Sequence, residues 1–248
     1  MNTFRQKGLS RAVVLLGGLA LLLALAGCTK VKTGPVETES RSVDLGSAAS
    51  VDVKLSMGIG ELKVKGGASG LLSGAFKYNV ADWKPTVAYN VTGTNGELTV
   101  AQPTSKDNPL FGSTDGVEYQ WNLGLNDNTP MNLTVSMGAG TGDLSLGSLS
   151  LKNLDVNVGA GDTVVDLTGT PKQDLKAHIK GGVGEVSLHL PSNAGVRVSV
   201  QHGVGSVHSN GLSRSGDTYT NDAYGKSERS MEITVESGVG DVSLDVAK

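Results

Sequence analysis

The sequence predicts an all-β protein, a β-solenoid of stacked coils with an N-terminal β module, preceded by a signal peptide. Three observations predict it. A glycine phrase recurs six times, at Met57-Gly-Ile-Gly60, Met137-Gly-Ala-Gly140, Val158-Gly-Ala-Gly161, Gly181-Gly-Val-Gly184, His202-Gly-Val-Gly205 and Ser237-Gly-Val-Gly240. Apolar residues alternate with polar ones on both sides of each phrase, the period of a strand with one buried face. Glycine makes up 35 of 248 residues and aromatics only 4 %, which suits thin stacked coils better than a thick globular core.

The N-terminus carries Arg5, Lys7 and Arg11 ahead of an apolar run from Ala12 to Ala26. Fifteen residues are too few for a membrane-spanning helix, which needs about 20, and the pattern is that of a secretory signal peptide over 1–27. Leu25-Ala-Gly-Cys28 resembles the bacterial lipobox, which makes Cys28 the expected lipid attachment site, carrying diacylglyceryl and palmitate-type chains. Cys28 is also the sole cysteine, so no disulfide can staple the fold. Losing three basic residues and no acid turns 21 basic against 24 acidic residues into 18 against 24, a net charge of −6. An acidic chain excludes nucleic acid as the natural partner and leaves membrane attachment to the acyl chains. The expected address is the cell membrane, lipid-anchored on its extracytoplasmic face.

Residues 28–42 lack any hydrophobic period and read as a lipidated tether. Residues 43–116 read as the N-terminal β module. It contains the first glycine phrase, strands at 75–80, 86–91 and 97–100, and Asn95-Gly96 as a hairpin turn signal. A loop follows at 106–116. Residues 117–248 read as the solenoid domain, with a polar excursion from Asn210 to Ser230.

From one phrase to the next, the first glycines of the last five are 21, 23, 21 and 35 residues apart. Three residues before that glycine stand Leu55, Val135, Val156, Ile179, Val200 and Val235, all apolar. The middle residue of each phrase is apolar too, and the expectation is that it turns inward at a corner. About 21 residues at roughly 3.3 Å each give a contour near 70 Å, one coil with three short faces. A single coil cannot bury its apolar side, whereas stacked coils share a core. A phosphate loop would place a helix after the glycines, and strands follow here. The calcium nonapeptide repeat needs a period of about nine with an acid in fixed position, and neither is present.

Val51-Asp-Val-Lys-Leu-Ser-Met-Gly-Ile-Gly-Glu-Leu62, Tyr78-Asn-Val-Ala-Asp-Trp-Lys-Pro85, Trp121-Asn-Leu-Gly-Leu-Asn-Asp-Asn-Thr-Pro130 and Val158-Gly-Ala-Gly-Asp162 resemble the toast-rack proteins. These pair a toast-rack module with a LiaF-like, cell-wall-active-antibiotic-response C-terminal domain and are similar to adhesin-like β-solenoids. The resemblance covers 43–248. It implies a right-handed β-helix in the bacterial envelope and supplies no catalytic residue and no cofactor.

The residue after each phrase is Glu61, Thr141, Asp162, Glu185, Ser206 or Asp241. Stacked coils would set Asp162 over Glu185 at about 4.8 Å, near the carboxylate separation of a retaining glycosidase. A carbohydrate-active β-helix enzyme using this acidic edge is therefore the alternative function. Against it, Trp83 and Trp121 fall away from the acids, leaving no sugar-stacking platform, and Ser206 breaks the column. His178, His189, His202 and His208 stand at four different offsets from their glycines and form no metal pattern. The preferred function is a non-catalytic envelope scaffold, an adhesin-like or envelope-stress-related binding protein whose partner is an envelope protein or a cell-wall polymer. Within the excursion, Arg214, Tyr219, Tyr224 and Arg229 are the candidate partner-binding residues, since Tyr and Arg are the types that dominate interface hot spots. The same stretch also reads as an end cap protecting the last coil.

Overall fold

The computed structural model describes residues 31–103 and 115–247. The expected signal peptide, Cys28 and residues 104–114 around the 106–116 loop lie outside the described residues. Within them run seventeen strands: β1 (Glu37–Val43), β2 (Ser50–Lys65), β3 (Leu72–Tyr78), β4 (Thr86–Thr92), β5 (Asn95–Ala101), β6 (Tyr119–Leu125), β7 (Met131–Ser145), β8 (Leu151–Ala160), β9 (Thr163–Asp166), β10 (Leu175–Val183), β11 (Val186–Leu190), β12 (Gly195–Val204), β13 (Val207–Asn210), β14 (Ser213–Ser215), β15 (Thr218–Thr220), β16 (Ser230–Val239) and β17 (Val242–Val246). The one helical turn among them is the 3-10 turn Ala81–Trp83. All seventeen strands join one open sheet.

Each glycine phrase divides its coil into a leading strand and a trailing strand. The leading strands pair in the order β4, β5, β2, β7, β8, β10, β16, β12, β15, β14. The trailing strands pair in the order β1, β3, β6, β2, β7, β9, β11, β17, β13. Both middles are parallel, and antiparallel strands occur only at the ends. A coil consists of two strands and a turn rather than three strand faces. The turns carry the ladder on, with Leu167 N–H donating to His189 O at 2.9 Å.

The alternation in the sequence becomes columns of stacked apolar side chains. Leu55, Val135, Val156, Ile179, Val235 and Val200 are neighbours in register, and each is at most 3 % exposed. On the trailing side Val64, Leu144, Val165, Leu188 and Leu244 do the same. Each such residue contributes about 1.5–3 kcal/mol relative to exposure.

The corner differs from expectation. The second glycine of every phrase has a positive φ, between 121° and 144°, a conformation that other residues enter only under strain. That residue shifts the phase of the alternation: Val158 is buried before the corner and Thr163, five residues on, after it. The middle residue lies on the outside of the bend in the last four phrases, whereas Ile59 and Ala139 are half-buried. Val183 is 56 % exposed, Val239 48 % and Val204 69 %, so these side chains face solvent, not the core.

The first glycines are fixed by crowding. A Cβ on Gly159 would lie 2.5 Å from the Gly138 carbonyl oxygen, and one on Gly182 would lie 2.2 Å from that of Gly159.

The stacking order also departs from chain order. β16 lies between β10 and β12, and β17 between β11 and β13. The final coil is thus inserted between two earlier ones, and the coil 195–210 becomes the end of the stack. The excursion supplies the chain length that this return requires.

At the other end the tether is shorter than 28–42, because Glu37–Val43 pairs with β3 over seven residues. No break marks residue 116, since β6 hydrogen-bonds to β3 and β2 of the preceding segment. The β4–β5 hairpin turns at Gly93-Thr94, with Gly93 at φ 62°, two residues before the expected Asn95-Gly96. Asn95 instead opens β5, donating to Asp52 at 2.9 Å, and a Cβ on Gly96 would lie 2.6 Å from the Tyr89 hydroxyl. Four buried aromatics gather here. Phe76 meets Trp121 edge-on at 5.6 Å, Trp83 meets Tyr119 at 5.7 Å, and Tyr119 lies 5.8 Å from Trp121. The Tyr119 hydroxyl donates to Trp83 O at 2.6 Å, and burial raises its pKa.

Candidate functional site

The excursion folds back as a cap. β14 and β15 form a hairpin, and β15 pairs antiparallel with β12, setting Tyr219 opposite Val198. Tyr219 is 2 % exposed and belongs to the core. The Arg214 guanidinium lies 5.5 Å from the centre of its ring, and Arg214 Nε donates to Gly216 O at 2.9 Å.

Asn221 then fastens the cap. Its amide donates to Ala194 O at 2.8 Å and Pro191 O at 3.3 Å, and its carbonyl accepts from Val196 N–H at 2.9 Å. Tyr224 is 36 % exposed, with its hydroxyl donating to Glu232 at 3.1 Å. Arg229 is exposed. The structure therefore brings Arg214 and Tyr219 together, and presents Arg214, Tyr224 and Arg229 on the surface.

The acids after the glycine phrases do stack, in the order Asp162, Glu185, Asp241, with Ser206 ending the column rather than interrupting it. Their geometry serves the corner. The Asp162 carboxylate accepts the Glu185 N–H at 3.0 Å, and that of Asp241 accepts the Ser206 N–H at 2.8 Å. A carboxylate holding the next coil's amide is committed to the turn, and the buried tryptophans lie elsewhere.

A second feature lies on the outer side of the leading strands. Six residues before each first glycine stand Asp52, Asn132, Asn153, Lys176, Glu232 and Arg197, in that stacking order. Asn132 and Asn95 donate to Asp52 at 2.6 and 2.9 Å, and Asn153 donates to Asn132 at 2.7 Å. The two amides hold the Asp52 carboxyl below its ordinary pKa, with Lys54 adding to the effect. Towards the capped end His178 sits between Glu236 at 3.1 Å and Asp155 at 3.9 Å. Lys180 and then His178 depress the Glu236 carboxyl. A shallow hollow of about 490 Å³ opens here, lined among others by Asp155, Lys176, His178, Arg197 and Glu232. This polar face escapes the sequence reading because only inward positions were counted; counting six back from each glycine exposes it. Among the described residues no group of three or more His, Cys, Asp or Glu side chains could hold a metal ion, and no helix is long and apolar enough to cross a membrane.

Comparison with known proteins follows this architecture. The N-terminal domain of toast_rack, DUF2154, matches residues 32–189, and the C-terminal domain of the cell wall-active antibiotics response protein LiaF matches 139–244. The two matches overlap, in keeping with the one sheet that runs through both. A crystal structure of a candidate cell adhesion protein from Clostridium sporogenes is 34 % identical, covers 86 % of this chain and all of its own, and superimposes with a TM-score of 0.83. A candidate adhesin from Bacteroides fragilis, 11 % identical over 85 % of this chain and 97 % of its own, has a TM-score of 0.30. That score is too low to carry an argument. No curated protein matches the chain. With well over half its length matched and a like fold at 34 % identity, the chain belongs to the toast-rack family.

Proposed function

We propose that this protein is an extracytoplasmic lipoprotein, a right-handed β-solenoid held to the cell membrane through acyl chains on Cys28. It acts as a non-catalytic, adhesin-like or envelope-stress-related binding scaffold for an envelope protein or a wall polymer. The observation that carries this reading is the likeness, over 86 % of this chain, to a candidate cell adhesion protein, at a TM-score of 0.83. The LiaF-like match supports the envelope setting. Recognition falls to Arg214, Tyr224 and Arg229 on the cap, with Tyr219 as the buried residue that positions Arg214.

Chemical cross-linking in whole cells, followed by purification of the protein, tests the reading. Arg214→Ala, Tyr224→Ala and Arg229→Ala together are expected to lose the captured partner at unchanged melting temperature. Capture that survives all three substitutions would remove the cap from the recognition surface. Cys28→Ala is expected to release the protein from membranes or leave it unprocessed, and normal processing with unchanged membrane retention would refute the anchor.

A further inference from the structure

The two ends of the coil stack are finished differently at the glycine corner. At the first coil the Gln102 side chain accepts the N–H groups of Gly58 and Ile59 at 2.8 and 3.2 Å. A Cβ on Gly60 would lie 2.4 Å from the Tyr119 carbonyl. That corner is covered. At the last coil β15 covers only Arg197, Val198 and Ser199 of β12, and β13 pairs with β17 alone. Nine of the ten residues from Gln201 to Asn210 are exposed, Val207 being half-buried.

Within the stack the N–H groups of Gly161, Gly184 and Gly240 each donate to the middle-residue carbonyl of the next coil, at 2.8, 2.9 and 2.8 Å. By the same pattern the Gly205 N–H and the Gly203 carbonyl face outward, with no coil beyond them among the described residues. Such an edge is a template for another strand. The glycines restrict which strand fits. In the parallel stack every neighbour would bring a Cβ to within 2.5 Å of a carbonyl at the first glycine and 2.2 Å at the second, so a further parallel coil must carry glycine at both places.

We propose that the end coil, residues 201–210, is a self-association surface on which a second copy of this chain docks across a two-fold axis through Val204. Gly203-Val204-Gly205 reads the same in both directions, so antiparallel pairing sets Gly203 against the partner copy's Gly205 and gives the outward N–H a glycine carbonyl. Charge favours this occupant. A two-fold axis brings each residue near its own copy, where like charges repel, and 201–210 contains no Asp, Glu, Lys or Arg. By contrast, β1 at the opposite end carries Glu37, Glu39 and Arg41. Exposed Val204, continuous in register with Val239 and Val183, gives the axis an apolar centre. The interface is isologous and closes at two copies, since the covered corner at Gly58-Gly60 prevents further growth. About ten residues a side is less than half a standard interface, so the association is weak and concentration-dependent.

Two variants of the full chain test this. Val204→Cys is expected to form a disulfide-linked dimer on mild oxidation, beyond any linked through Cys28 in the unsubstituted chain, whereas Val183→Cys, two coils inward, is not. Val204→Lys is expected to shift sedimentation at high micromolar protein from dimer to monomer with no change in melting temperature. Absence of the Val204→Cys dimer, or a dimer that persists in Val204→Lys, overturns the proposal. A Val204→Cys adduct with a different protein alone also overturns it, and assigns the edge to a foreign strand.

Discussion

The covered end and the coils behind it are built on opposite rules. Around β3 and β6 the core is made of unique large residues, Phe76, Trp83, Tyr119 and Trp121, each with its own orientation and partners. From β7 onward the core is mainly Val, Leu and Ile in columns, joined by Met131, Met137, Ala177 and Met231, with no aromatic until Tyr219 at the far cap. Tolerance to change differs accordingly. In the repeating part each coil must fit the next at the corner, so backbone approach is the limiting quantity. At the ends nothing repeats, and side-chain volume is limiting.

The largest expected effect tests the corner. Gly161→Ala places a methyl 1.8 Å from the Gly140 carbonyl at a φ of 121°, and should cost more than about 4 kcal/mol or prevent folding. An alanine variant that melts within a few degrees of the parent would break the rule for the middle.

Trp121→Ala tests the aromatic end. Removing a fully buried ring from between Phe76 and Tyr119 should cost about 3–5 kcal/mol in denaturant unfolding, without the register change expected from a corner substitution. A loss below about 1 kcal/mol would mean that this end is not packed as a unit.

A smaller effect separates the leading strands' polar face from both cores. Asp52→Ala removes the acceptor of two amide donors and should cost about 1 kcal/mol at pH 7. The Asp52 carboxyl is depressed in the folded chain. Its contribution is therefore complete above the unfolded value near 3.9 and disappears as pH falls through the lower folded value. The gap between variant and parent should close in acid, and a gap independent of pH would assign the loss to packing. Smallest of all, Val183→Asp should change stability by no more than about 0.5 kcal/mol, because that side chain is in solvent.

The middle of the fold was legible in the sequence. Leu55, Val135, Val156, Ile179, Val200 and Val235 could be aligned by counting back from a glycine, and they stack as counted. Direction at the corner was not legible. Val183 continues the apolar alternation, yet it lies on the solvent side of the bend that Gly184 completes. The order of the last two coils was not legible either, because every phrase fits every other. Of the candidate site, Arg214, Tyr224 and Arg229 reach the surface, while Tyr219 is absorbed by packing that its polar neighbours conceal. Asn126 and Asn221 were also silent. Each satisfies several backbone groups at a turn, work that composition does not distinguish from an ordinary loop asparagine.

The insertion of β16 and β17 between earlier coils has a consequence for how the chain acquires its shape. Residues 195–210 leave the ribosome or the export channel before their permanent inner neighbour does. The surface then available to them is β10 and β11, whose Gly182 corner matches Gly203 as well as the Gly238 corner will. A chain truncated before Ser230 already contains the parts of a shorter stack in correct register. The chain must keep that contact open, or give it up, when residues 230–246 arrive. β16 and β17 are therefore a keystone: they are laid after the coils on both sides of them, and the order of synthesis is written into the strand order of the finished sheet.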